Sequence, residues 1–103
     1  MDIANIMGQA RKMQERFSQL QEQLASRTVT GEAGGGMVSV VANGRFEIVS
    51  MRIAPELLAG GDAAMVQDLV AAAVNQALQA ARELAQQELS SITGGVKIPG
   101  LTL

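Results

Sequence analysis

The chain has no cysteine, histidine, tryptophan or tyrosine, and only two prolines and two phenylalanines. Without cysteine there can be no disulfide, thiol nucleophile or thiolate metal site. Without histidine there is no imidazole base and no zinc-finger ligand set. Aromatic residues at 2 % of the chain are too few for a platform on which single-stranded nucleic acid stacks. Positive charge is also short: eight Lys and Arg stand against ten Asp and Glu, a formal net charge of −2. Any surface that attracts a polyanion must therefore arise from local clustering. No apolar run approaches the ~20 residues of a membrane-spanning helix. The opening Met1-Asp2-Ile3-Ala4-Asn5 lacks the basic segment of a signal peptide. The absence of cysteine fits a cytosolic protein.

What is present points to one ordered domain. Apolar residues make up 48 % of the 103, too many for a disordered chain. A core of that size is modest, and oligomerisation often supplies the rest. Composition divides the chain into an arm helix (1–26), a β core (27–53), a short turn with a long helix (54–93) and an extended tail (94–103). In the first zone Ile3, Ile6, Ala10, Met13, Phe17, Leu20 and Leu24 recur at alternating steps of three and four. This is an a/d heptad, narrower than the face of a helix lying on a globular core. It predicts a helix roughly 35 Å long that packs along one seam and is otherwise solvated.

The second zone predicts three strands. Thr28-Val29-Thr30 is β-branched and opens the first, Gly31 is expected to interrupt it, and Gly34-Gly35-Gly36 marks a turn. No Lys-Ser/Thr pair follows these glycines, so a phosphate loop is not expected. Met37 to Ala42 forms the second strand and Arg45 to Ile53 the third. Asn43-Gly44 between them reads as a two-residue type I′ hairpin turn. That turn would pair Ala42 with Arg45 and Val38 with Val49 on one face, and Val41 with Phe46 and Ser39 with Ile48 on the other. Both faces would then be partly apolar, one covered by the chain's own helix and the other by a second subunit. Met37, Val41, Phe46 and Ile48 are accordingly the expected dimer interface.

In the third zone Pro55-Glu56-Leu57-Leu58 reads as one helical turn ended by Gly60-Gly61, with Asp62 as N-cap of a long helix. Its stripe of Val66, Leu69, Val70, Ala73, Val74, Ala77, Leu78, Ala81, Leu84, Ala85, Leu89 and Ile92 is wide and alanine-rich, as a helix covering a sheet requires. Gly94-Gly95 is the expected stop, before an extended tail. The fold class is α+β: helix, three-stranded antiparallel sheet, helix.

The chemistry-bearing residues are few. Nearly all the acids fall at expected exposed or capping positions, and Thr28, Thr30, Ser39 and Ser50 have no base to activate them, so no catalytic set, metal site or cofactor site is expected. Met7, Met13, Met37, Met51 and Met65 are read as core filling. Arg82 beside Glu83 is read as a structural ion pair. The densest basic group is Arg11, Lys12 and Arg16 at heptad positions b, c and g, clear of the seam, and Arg27 could extend it. Such a patch can contact phosphate. It can equally be a solvated helix face with Lys12 paired to a neighbour.

These residues together resemble the YbaB/EbfC family of bacterial nucleoid-associated proteins. The likeness runs through Met7-Gly8-Gln9-Ala10-Arg11-Lys12-Met13-Gln14-Glu15, Val29-Thr30-Gly31-Glu32-Ala33-Gly34-Gly35-Gly36-Met37-Val38, Asn43-Gly44, Ile53-Ala54-Pro55-Glu56-Leu57-Leu58, Asp68 to Ala77 and Ile98-Pro99-Gly100. The resemblance implies a homodimer with a shared β core and projecting helical arms that binds double-stranded DNA in the cytoplasmic nucleoid. Two functions follow as expectations. One is DNA binding mainly through backbone contacts, with a role in nucleoid organisation or gene regulation. The other is a protein-interaction module that docks a recombination or replication partner along the first-helix seam. The acidic balance of the chain favours the second and the resemblance favours the first.

Overall fold

The computed structural model describes residues 2–92. Helix α1 (Ile3–Ser26) leads through strands β1 (Thr28–Ala33), β2 (Val38–Asn43) and β3 (Ile48–Ile53) to the short helix α2 (Pro55–Ala59) and the long helix α3 (Ala63–Ile92). The α+β order expected from the sequence is the order observed. The expected stop at Gly94-Gly95 and the extended tail lie outside the described residues.

Each of the two long helices, α1 and α3, starts where a side chain satisfies an orphan amide. Asp2 Oδ1 accepts from the Ala4 N–H at 3.1 Å, and Asp62 Oδ1 accepts from the Met65 N–H at 3.0 Å. The second cap is the one read from the sequence. α1 ends as Arg27 turns extended and the β-branched Thr28-Val29-Thr30 begins.

The sheet has the order β1-β2-β3, both pairs antiparallel. Gly31 does not interrupt β1: it pairs with Val40 inside a continuous ladder. Its bare Cα is needed because α3 crosses there. A Cβ on Gly31 would lie 2.3 Å from the Ala77 amide nitrogen and 2.4 Å from the Ala73 carbonyl oxygen. The sheet and helix therefore meet backbone to backbone, over fully buried Ala73, Ala77 and Ala81. The β1–β2 connection is the expected glycine turn, with φ of +64°, +67° and +92° at Gly34, Gly35 and Gly36.

The second hairpin departs from expectation. The Asn43 C=O accepts from the Phe46 N–H at 3.0 Å, and the Asn43 N–H donates to the Glu47 C=O at 3.0 Å. The loop thus holds three residues, with Phe46 in the left-handed region at φ +65°, and Gly44 has no positive φ. A bulge follows: Val41 pairs with Ser50 but Ala42 pairs with Ile48, leaving Val49 as the extra residue. The register is consequently Val38 with Ile53, Ser39 with Arg52 and Val40 with Met51. This corrects the two-residue turn and its pairings. Cross-strand partners share a face, so Thr28, Thr30, Glu32, Ser39, Val41, Ser50 and Arg52 form the side away from the core. That side is mostly polar, which removes the expectation of two apolar faces.

The core is Val38, Val40 and Ala42 against Leu57, Ala73, Ala77 and Ala81, with Val29, Ala33, Ile53, Val66, Leu69, Val70 and Val74 packed around it. Its largest fully buried side chains are valines. α3 lies over β1 and β2, while β3 is left at the edge of that layer. Ile48, Val49 and Met51 are consequently 43 %, 57 % and 43 % exposed. The methionines do not fill the core: Met7, Met13, Met37, Met51 and Met65 are all exposed. They lie on the arm, on the uncovered strand and at element ends, where none of the described residues covers them.

Candidate nucleic-acid interface

The heptad pattern of α1 is two positions wide, and few of the described residues lie beside the helix for it to pack on. Only Leu24 is buried, with Leu20, Gln21 and Ala25 half-buried beside it. From Ile3 to Gln19 every residue except Gly8 is exposed. The helix projects as an arm, and the molecule measures 70 × 23 × 17 Å. Its seam residues Ile3, Ile6, Met13 and Phe17 are 49–73 % exposed, with Met7 beside them.

The base of the arm is tied down by polar contacts. The Gly44 N–H donates to the Leu24 C=O at 2.8 Å and to the Arg27 C=O at 3.2 Å. Asn43, buried at the start of the same hairpin, accepts through Oδ1 from the Arg45 N–H at 2.9 Å and the Glu47 N–H at 3.1 Å. Its Nδ2 donates to Glu47 Oε1 at 2.9 Å. Arg27 forms an ion pair with Glu88 of α3, whose side chain is 15 % exposed.

The expected DNA-contacting residues therefore separate. Arg11, Lys12 and Arg16 are all exposed on the arm and make no ion pair among the described residues. No bond to Glu15 occupies Lys12. Arg27 stands at the base of the arm, engaged by Glu88, about 16 Å along the helix from Arg16 at 1.5 Å per residue. Arg11 also lines a shallow groove with Gln14, Glu15, Ser18, Gln19 and Glu22, which places two carboxylates on its flank. Arg82 is not paired to Glu83; its Nη1 donates to Gln79 Oε1 at 3.1 Å.

The expected interface residues separate too. Val41 is half-buried on the sheet side away from α3, whereas Ile48 pairs with Ala42, whose side chain is buried. Phe46, 49 % exposed, sits in the hairpin loop, and Met37 lies at the other end of the strands, where its C=O accepts from Ala54. They do not form one face, because the three-residue loop and the bulge changed the register. Val49, paired with Val38 in the expected register, and Met51, read as core filling, are exposed apolar residues of β3 instead. The only signal for them was the extent of α3, which periodicity does not disclose.

Among the described residues, no group of three or more acidic side chains is placed to hold a metal ion, and no helix is long and apolar enough to cross a membrane. The geometry offers binding surfaces: a stalk with cations on its flank and an apolar seam, and an uncovered strand.

Comparison with known proteins agrees with this architecture. Residues 1–96 match the YbaB/EbfC DNA-binding family. A nucleoid-associated protein of Pelotomaculum thermopropionicum is 51 % identical over 100 residues, covering 97 % of this chain and 95 % of that one. A nucleoid-associated protein of Caldanaerobacter subterraneus is also 51 % identical, covering 97 % of this chain and 90 % of that one. The crystal structure of an uncharacterized Helicobacter pylori protein superposes with a TM-score of 0.76 at 33 % identity, over 91 % of this chain and 99 % of the other. With a family match across nearly the whole chain, and relatives of the same length at half identity, the chain belongs to the YbaB/EbfC DNA-binding family.

Proposed function

We propose that the protein is a homodimeric nucleoid-associated protein that binds double-stranded DNA mainly through backbone contacts, in the cytoplasm, and so organises the nucleoid or regulates genes. Besides membership of the family, the observation that carries this reading is the projecting arm with Arg11, Lys12 and Arg16 exposed and free of ion pairs among the described residues. A chain of net charge −2 is repelled by DNA at long range, so attraction must be local, and the arm holds the densest cations. Gln residues on the same helix can still touch adenine edges, which permits a weak sequence preference.

The dimer supplies two arms. β3 is an edge strand with Ile48, Val49 and Met51 uncovered, and such edges invite pairing with another strand. We place the second copy there, β3 against β3, with Phe46 at the end of the seam. If both arms bring all three cations to phosphate, about six counterions are released, and log K against log salt has a slope of roughly −5. The test is a gel-shift series across salt concentrations with the wild type and the triple variant Arg11→Gln, Lys12→Gln, Arg16→Gln. Glutamine keeps helix propensity nearly constant. Affinity is expected to fall uniformly across sequences in the variant, while Arg45→Gln with Arg52→Gln leaves it nearly intact. The reverse result places DNA across the sheet.

One observation favours a second reading. Ile3, Ile6, Met7, Met13 and Phe17 form an exposed apolar strip on the same arm, fit for a partner helix from a recombination or replication protein. Absence of DNA binding at ~50 mM salt, where phosphate contacts are strong, makes this the better account.

A further inference from the structure

We infer that Gly44 is the positioning residue of the arm: its bare Cα and its amide seat the C-terminal end of α1 in a socket on the β2–β3 hairpin, which sets the arm's direction. The Asn-Gly pair looks like a type I′ turn signal, yet Gly44 has no positive φ, so turn geometry does not demand a glycine there. Space does. A Cβ on Gly44 would lie 2.8 Å from Leu24 Cδ2, 2.9 Å from the Leu24 carbonyl oxygen and 3.1 Å from Leu24 Cα. Two of these atoms belong to the helix backbone, which cannot turn aside as a side chain can.

The amide does the second half of the work. The last carbonyls of a helix have no partner within it. Leu24 C=O finds one in the Gly44 N–H at 2.8 Å, and Arg27 C=O shares the same donor at 3.2 Å. The hairpin is stiffened to receive them by buried Asn43, which holds the amides of Arg45 and Glu47. The Arg27–Glu88 ion pair ties the same junction to α3. Among the described residues little else restrains α1, since Leu24 is its one buried residue. A small tilt at this pivot is magnified outward: Gln9 lies roughly 22 Å along the helix from Leu24, so a tilt of ~10° moves it ~4 Å.

The lack of native cysteine allows clean spin labelling. Labels at Gln9→Cys on the arm and Gln67→Cys on α3, both exposed positions, report arm direction by pulsed electron resonance. Labelled chain is diluted in unlabelled chain so that only the intrachain distance is read. The wild type should give one narrow distance. Gly44→Ala should shift or broaden it by ~4 Å, on the lever argument above, while a Thr30→Cys and Gln67→Cys pair, which spans the sheet and α3 across the core, stays unchanged. Adding Leu24→Ala should not restore the distance, because the clash with the Leu24 backbone persists. Gly8→Ala, with nothing within 4 Å of its new Cβ, should leave it unaltered. A broad distance in the wild type overturns the inference without any variant, and so does an unchanged one in Gly44→Ala. If Gly44→Ala does not fold, Arg27→Gln decides: a broadened arm distance over an unchanged core distance supports the socket, and an unchanged arm distance sinks it. None of these readouts involves DNA. An arm that moves in Gly44→Ala with DNA affinity untouched supports the socket and counts against DNA binding by the arm.

Discussion

Glycine at two positions of this protein is there for proximity. At Gly31 a side chain would have to occupy the space of the α3 backbone, with contacts of 2.3 and 2.4 Å. Gly31→Ala should therefore push α3 off the sheet and destabilise the fold by about 3 kcal/mol, the upper range of overpacking. Urea denaturation measures this, and a loss below ~1 kcal/mol would mean that the helix yields easily. Asn43 works by hydrogen bonding. Its Oδ1 accepts two backbone amides in a buried position, so Asn43→Ala leaves donors without a partner. A cost of about 1–3 kcal/mol is expected in the same assay. The Asn-Gly dipeptide was legible as a hairpin, since Asn and Gly both favour turns. That Asn serves the loop through its side chain and Gly serves the helix through its absence of one is visible only once Leu24 lies against the hairpin.

At the scale of elements, α1 and α3 contrast. Both are long and both carry apolar residues at three- and four-residue spacing, but α3 buries Ala73, Ala77, Ala81 and Leu84 whereas α1 buries Leu24 alone. Stripe width foretold this, since a two-position seam has no room to cover a sheet. Leu24→Ala is expected to cost about 2–3 kcal/mol through the cavity it leaves at the arm's base. Met13→Gln, 72 % exposed, should stay within about 0.5 kcal/mol. Equal losses in thermal melts would show that the arm's seam is covered in solution. The β2–β3 hairpin was the least legible element. One residue more in the loop and one bulge changed every cross-strand pair and moved Ile48 to the face of Ala42.

For the whole molecule the thin core is the decisive fact. Valines are its largest fully buried side chains, and apolar surface remains open on β3. The proposed assembly through that strand would supply what this core lacks. Sedimentation equilibrium at low micromolar concentration should find a dimer. Ile48→Glu with Met51→Glu should yield monomer or unfolded chain, since each carboxylate would be placed in the pairing surface. A well-folded wild-type monomer under those conditions would sink the dimer, and with it the count of about six phosphate contacts.

The sequence by itself determined the order of elements, the cap at Asp62, the narrow seam of the arm and the wide alanine stripe of α3. These are properties of spacing along one segment, and local geometry imposes them wherever the segment sits. Through missing cysteine and histidine and only two aromatic residues, it also determined which side chains any site on this chain cannot use. Tertiary structure alone decided that Gly31 and Gly44 answer to helices distant in sequence, that Arg27 is engaged by Glu88, and that β3 lies beyond the cover of α3. Those outcomes depend on which backbones approach each other and how far a helix reaches across a sheet. Neither distance is written in the periodicity of any single element.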